Sequence, residues 1–174
     1  MKIDVSHLDD RKEVRHKYAD FDLEDETLKI REQPELKLDL QRQSDGVHAS
    51  GNVKAGVDVE CDRCLAPVPV NVDSDFDLVY LPLSAAPSTA GEHEIVEDRD
   101  FDLAYFEDDA GQVIDVDALV REQISLGMPV HSLCNPECKG LCPTCGIDLN
   151  TGSCNCKSEA HDPRWDALAK LKQQ

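Results

Sequence analysis

The chain has 174 residues, and 40% of them are hydrophobic. That is enough for one domain of ordinary size with a real core, or for one domain plus a small metal-held module, and it excludes a wholly disordered polymer. Eighteen basic against 36 acidic side chains leave a net charge of -18, which gives electrostatic attraction to a phosphate backbone or an anionic membrane the wrong sign. With only 5% aromatics, the core is expected to be mostly aliphatic.

Strand patterns dominate the first half. Ile3 and Val5 alternate with polar residues, with His7 next in phase, and Leu36, Leu38 and Leu40 alternate with Lys37, Asp39 and Gln41. From Val47 to Val59 the odd positions are small or apolar and the even positions mostly polar. After Cys61 and Cys64 the alternation resumes in the even register at Val68, Val70, Val72, Phe76, Leu78 and Tyr80. The two runs predict a hairpin, about 47–60 and 66–80, with the cysteine pair at its tip. Residues 84–100 read as a loop. Asp115 is the predicted N-cap of a helix running to about Leu126, stopped by Gly127 and Pro129. Asp162 and Pro163 open a short last helix whose face is Trp165, Leu168 and Leu171.

The expected fold is therefore α+β: a mainly antiparallel or barrel-like sheet, one packing helix and a cysteine-rich, zinc-ribbon-like C-terminal segment. The expected division is a β-rich part over 1–130 and a zinc-binding segment with terminal helix over 131–174, joined to the hairpin tip at 61–64. No stretch of about 18 apolar residues is present to cross a bilayer. Met1 to Lys12 lacks an apolar signal core, so a cytoplasmic location is expected.

Eight cysteines stand out, as Cys61-x2-Cys64 and then Cys134-x3-Cys138-x3-Cys142-x2-Cys145-x8-Cys154-x-Cys156. In a reducing cytosol such thiols point to metal rather than to disulfides. Two thiolates separated by two residues reach one ion, and Pro143 and Gly146 suit a turn that aims backbone N–H groups at sulfur. Cys142, Cys145, Cys154 and Cys156 lie close enough in sequence to close one four-thiolate site. Cys61, Cys64, Cys134 and Cys138 remain for a second, although Cys61 and Cys64 can instead be paired with Cys142 and Cys145. Four cysteine ligands leave no open coordination position, so such sites are structural, and Zn2+ is the expected ion. An iron–sulfur cluster and a redox dithiol are the weaker alternatives. Eight thiolates subtract eight charges and two Zn2+ return four, taking the total to about -22.

No catalytic constellation accompanies the cysteines. The six histidines are scattered, and His131 and His161, beside the cysteine segment, read as solvent-facing more readily than as ligands. Asp9–Asp10 and Asp108–Asp109 lack the apolar surroundings that would raise a carboxyl pKa. There is no phosphate-binding glycine loop or nucleophile elbow. No enzymatic activity is expected.

The run Cys138-Lys139-Gly140-Leu141-Cys142-Pro143-Thr144-Cys145-Gly146, followed by Asp148-Leu149-Asn150, Cys154-Asn155-Cys156 and Asp162-Pro163-Arg164, resembles the C-terminal signature of the YceD family. These are bacterial large ribosomal RNA subunit accumulation proteins with plastid relatives in plants. Cys61-Asp62-Arg63-Cys64-Leu65 is similar to the family's other landmark, and the likeness extends roughly over residues 36 to 170. It implies a role in accumulation or maturation of large-subunit ribosomal RNA.

Charge narrows how such a role works. Residues 73–117 hold 14 acids and one base, Arg99, and suit a basic ribosomal protein or assembly factor. Residues 1–42 are nearly balanced, and Arg11, Lys12, Arg15 and Lys17 there, or Lys139 and Lys157 in the cysteine segment, are the places for local RNA contact. Apart from the resemblance, the competing class is a zinc-ribbon adaptor or a redox-sensitive cysteine switch.

Overall fold

Side-chain alternation over long stretches builds the molecule around one sheet. The computed structural model describes residues 1–44, 46–85, 102–106 and 112–156. Its elements are β1 (Lys2–Asp4), β2 (Arg11–Lys17), β3 (Lys29–Arg42), β4 (Val47–Glu60), β5 (Pro67–Leu81), β6 (Asp102–Tyr105), β7 (Val113–Asp115) and helix α1 (Val116–Leu126). A five-stranded sheet has the order β2-β3-β4-β5-β6, and β1 pairs with β7 in a separate two-stranded sheet.

β2–β3 and β3–β4 are antiparallel, with Val14 opposite Leu38 and Leu36 opposite Val53. β4 and β5 form the hairpin that the alternation predicts. Their side chains pair across the strands in opposite directions, His48 with Asp77, Asn52 with Asp75 and Lys54 with Asp73. β6 runs parallel to β5, so the sheet is mixed. Among the described residues it ends at β2 and β6 and does not close into a barrel.

One face of this sheet is dry. Leu36, Leu38, Leu40, Val47, Ala49, Val53, Val57, Phe76, Leu78 and Tyr80 pack with Val116, Leu119, Val120 and Ile124 of α1. The core is mainly aliphatic, as the composition requires. α1 begins where expected: the Asp115 carboxylate accepts from the N–H groups of Asp117 and Ala118 at 2.9 and 3.1 Å. Gly127 closes it.

β2 departs from expectation most. Arg-Lys-Glu-Val-Arg-His-Lys carries no apolar alternation, yet it is a strand. It borders the sheet, where Val14 is its one half-buried hydrophobe. Charged side chains on an edge discourage pairing with other chains. β3 starts seven residues before Leu36, and its pairing with β4 shifts register twice between Ile30 and Glu35. Pro34, which has no N–H to give the ladder, lies in that irregular part. β1 stops at Asp4 because the Asp4 carboxylate takes the Ser6 N–H and hydroxyl at 2.8 and 2.6 Å, turning the chain before His7. Residues 83–85 form a short 3-10 turn, while most of the loop expected at 84–100 and the helix expected from Asp162 lie outside the described residues.

The chain divides into two units. One comprises residues 1–59 and 67–130; the other comprises residues 60–66 together with the segment from His131 onward.

Candidate metal centre

The second unit contains all eight cysteines, and backbone hydrogen bonding explains its local shape. In the loop Cys61–Ala66, the Cys61 N–H donates to the Ala66 carbonyl at 2.8 Å and the Leu65 N–H returns to the Cys61 carbonyl at 2.9 Å. In the loop Cys142–Ile147, the Cys142 N–H donates to Ile147 O and the Gly146 N–H to Cys142 O, both at 2.8 Å. The two C-x2-C loops therefore have the same hydrogen-bonding pattern. Each needs a left-handed residue after its second cysteine. Gly146 supplies it at φ 74°, and Leu65, at φ 60°, supplies it against the usual steric preference.

The other halves of the clusters dock on these loops. Asp62 N–H donates to Ser132 O at 2.9 Å, and the Asp62 carboxylate accepts from the Ser132 N–H at 3.1 Å. Arg63 donates through its guanidinium to Cys138 O at 2.8 Å, while its own carbonyl accepts from Leu141 N–H at 3.0 Å. Gly140 passes over that carbonyl at φ 74°, where a Cβ would approach to 2.8 Å.

The result is two sulfur quartets, Cys61–Cys64–Cys134–Cys138 and Cys142–Cys145–Cys154–Cys156, each with all sulfurs within 4.8 Å of one another. Cys61 and Cys138 sulfurs are 3.9 Å apart, and those of Cys64 and Cys134 3.5 Å. A disulfide needs about 2.05 Å, and all eight cysteines are free thiols. Sulfurs placed tetrahedrally at about 2.3 Å from an ion are about 3.8 Å apart. The donor set thus fits a thiophilic ion, and either quartet could hold one. The alternative grouping of Cys61 and Cys64 with Cys142 and Cys145 is not the one assembled. His131 meets a carboxylate instead, its Nδ1 3.2 Å from Asp62 Oδ2, and His161 lies outside the described residues.

The electrostatics of each quartet are uneven. The Cys134 N–H, 3.4 Å from the sulfur, and then the Arg63 N–H pull the Cys61 thiol down to about 6. The N–H groups of Cys145 and Thr144 lower Cys142 to about 6. Cys138 is lowered first by the Asn150 side-chain amide, which donates to its sulfur at 3.4 Å. Cys134, facing Cys64 and Cys138, is pushed up to about 12, and Cys156, facing Cys145 and Cys154, likewise to about 12. Thiolates this close cannot all ionise alone, whereas a divalent cation among them removes the conflict.

Asn150 is the residue that spacing did not reveal. It reads as a turn former and does form one, its N–H donating to Asp148 Oδ1 at 2.9 Å. Its side chain also accepts from Lys139 N–H at 2.9 Å while donating to Cys138, so the loop of the second quartet supports a ligand of the first. Only the short separation from Cys138 hinted at this.

Comparison with known proteins places these features in context. The family model described as large ribosomal RNA subunit accumulation protein YceD matches residues 49–172. An uncharacterized protein of Mycobacterium tuberculosis is 32% identical over 138 residues, 79% of this chain and 61% of its own length. The Zea mays protein named large ribosomal RNA subunit accumulation protein YCED homolog 1, chloroplastic, is 30% identical over 70% of this chain and 48% of its own. The uncharacterized protein YlbN of Bacillus subtilis is 27% identical over 86% of this chain and 87% of its own. The chain thus spans about three fifths of the mycobacterial relative and about half of the maize one. No solved structure matches it significantly. No helix among the described residues is long and apolar enough to cross a membrane.

Proposed function

The chain belongs to the YceD family of large ribosomal RNA subunit accumulation proteins, and we propose that it is a non-enzymatic ribosome biogenesis factor carrying two structural zinc ions. The observation that carries the metal part of this reading is the assembly of eight sulfurs into two closed quartets. Cys61, Cys64, Cys134 and Cys138 would hold one ion and Cys142, Cys145, Cys154 and Cys156 the other. Bound zinc supplies a cross-link and no reactive position, because four thiolates complete its coordination. The chain's own residues do the rest: the Arg63 and Asp62 side chains hold the backbone that carries the ligands, while Asn150 and the backbone N–H groups donate to the sulfurs and favour their ionised form.

In this reading residues 1–130 are a platform, and 131–174 with the hairpin tip 61–64 are the metal-held part. The protein works in the cytoplasm on large-subunit assembly components, and its direct partner is a basic protein, because a body at -18 attracts Lys and Arg and repels phosphate.

Two measurements test this. Metal analysis after purification under reducing conditions should find two zinc ions per chain, whereas metal-free protein with reversible disulfides would replace the reading by a redox switch. Affinity capture from cells at low and high salt, with proteins and RNA both identified, should return a basic large-subunit protein at low salt only. Absence of every large-subunit component would overturn the assembly role.

A further inference from the structure

Cys138 is a ligand candidate of the first quartet and Cys142 of the second, and one short ribbon, 138–142, carries both. This ribbon is held on two sides. On one side is the loop 61–66: the Arg63 guanidinium donates to Cys138 O at 2.8 Å, and the Leu141 N–H donates to Arg63 O at 3.0 Å. On the other side is the turn 147–153. Leu149 N–H donates to Gly140 O and Lys139 N–H to Asn150 Oδ1, both at 2.9 Å. Leu141 and Asp148 form an antiparallel bridge, and the Asn150 amide reaches Cys138 Sγ at 3.4 Å.

The turn has no core of its own. Every residue from 147 to 153 is exposed or half-buried. Its internal bonds converge on Asp148: the Asn150 N–H and side-chain amide donate to Asp148 Oδ1 at 2.9 and 2.8 Å, and the Gly152 N–H to Asp148 O at 2.9 Å. Solvent-exposed hydrogen bonds with little apolar burial open at low free-energy cost. Cys145 and Cys154, both of the second quartet, flank the turn. Gathering their sulfurs around one ion closes the segment, so metal binding there is also folding of the turn.

We infer that the two quartets are energetically coupled through Asn150 and the ribbon 138–142, so that zinc in one raises the affinity of the other. The inference rests on the zinc reading proposed above. Two states of the turn carry the coupling. Closed, it presents the Asn150 amide to Cys138 and fixes the backbone at Lys139 and Gly140. Open, it leaves that side of the ribbon unsupported. A first quartet that fills beside an open turn must either order the turn or forgo its contacts. Linkage makes the effect mutual. Asn150 contributes no ligand atom and is a positioning residue. An outer-shell donor of this kind is worth about 10–100-fold in metal affinity, and the coupling should be of that size.

Zinc titration of the reduced full chain against a chromophoric chelator tests this. C145S/C156S leaves the first quartet alone, and C64S/C134S leaves the second. The two-ion binding constant of the intact chain should exceed the product of the two single-site constants by about 10–100-fold. N150A should weaken the intact chain by a similar factor, yet cost less than about twofold in C145S/C156S, where the turn is already open. An amide that merely sits beside Cys138 would cost the same in both backgrounds. Circular dichroism follows the strand signal of each variant. Where one background loses it, the N150A comparison in the other decides, because Asn150 should matter little whenever either quartet is disabled. A two-ion constant equal to the product within about twofold overturns the inference, as does an N150A loss of the same size in the intact and single-site chains. Either result, with two zinc ions bound to the intact chain, leaves the zinc reading standing. Fewer than two ions on the intact chain overturns that reading and the coupling with it.

Discussion

Leu65 occupies the left-handed position that Gly146 occupies in the equivalent loop, and its side chain is 57% exposed. Left-handed backbone costs a non-glycine residue about 1–2 kcal/mol, offset by the larger chain entropy that glycine loses on folding. Leu65→Gly should therefore raise the thermal midpoint of the metal-loaded protein slightly, by a stabilisation of about 0.5–1 kcal/mol. Gly140→Ala should do the reverse and cost about 1–2 kcal/mol or more, since a Cβ there meets Arg63 O at 2.8 Å as well as the φ penalty. Asn150→Ala removes the amide that lowers the Cys138 thiol. Loss of such an outer-shell donor weakens metal holding by about 10–100-fold, and competition with a chromophoric chelator should register it in one of the two ions only. Protons report the same chemistry. Cys134 and Cys156 rest near 12 and are protonated at pH 7, so metal uptake by the apo protein should release at least one proton per site. Calorimetry in buffers of different ionisation enthalpy would show it, and uptake without proton release would contradict the four-thiolate ligation.

At the scale of elements, legibility followed the hydrophobic pattern. β4 and β5 were readable because both alternate over at least 13 residues. α1 was readable because Asp115 caps a run with Val116, Leu119, Val120 and Ile124 buried on one side. β2 was not, since an edge strand with mostly exposed residues carries no period-two signal, and its partnership with β3 is long-range information. β6 was equally hidden: Asp102–Tyr105 is short, and parallel pairing leaves no turn signature beside it. The candidate metal centre was legible in its ligand types, because C-x2-C spacing is a local property. Which halves meet depended on Asp62–Ser132 and Arg63–Cys138 contacts that spacing does not encode. Cys145→Ser should reduce bound zinc from two ions to one and unfold the segment around 141–156, while far-UV circular dichroism keeps its strand signal, because metal energy is local folding energy. Loss of the whole strand signal would show instead that the sheet depends on that site.

For the whole molecule, the charge imbalance sets the association chemistry. Asp98, Asp100, Asp102, Asp108 and Asp109 belong to the acidic stretch, of which only Asp102 lies among the described residues, exposed at the start of β6. Replacing all five by Asn should slow capture of a basic partner and flatten its salt dependence, because screening acts over only about 8 Å at physiological ionic strength. Stopped-flow association at two salt concentrations would read both effects. The two sulfur quartets differ in how far along the chain they reach, and this has a temporal consequence. The second is closed by Cys145 and Cys154, nine positions apart, whereas the first joins Cys64 to Cys134, 70 positions on. From an unfolded chain the longer closure costs about 2 kcal/mol more. During synthesis the Cys61–Cys64 loop emerges early and must wait for Cys138. Occupancy of the first quartet thereby records that the intervening strands have been made and brought back together, while the second can fill as a local event.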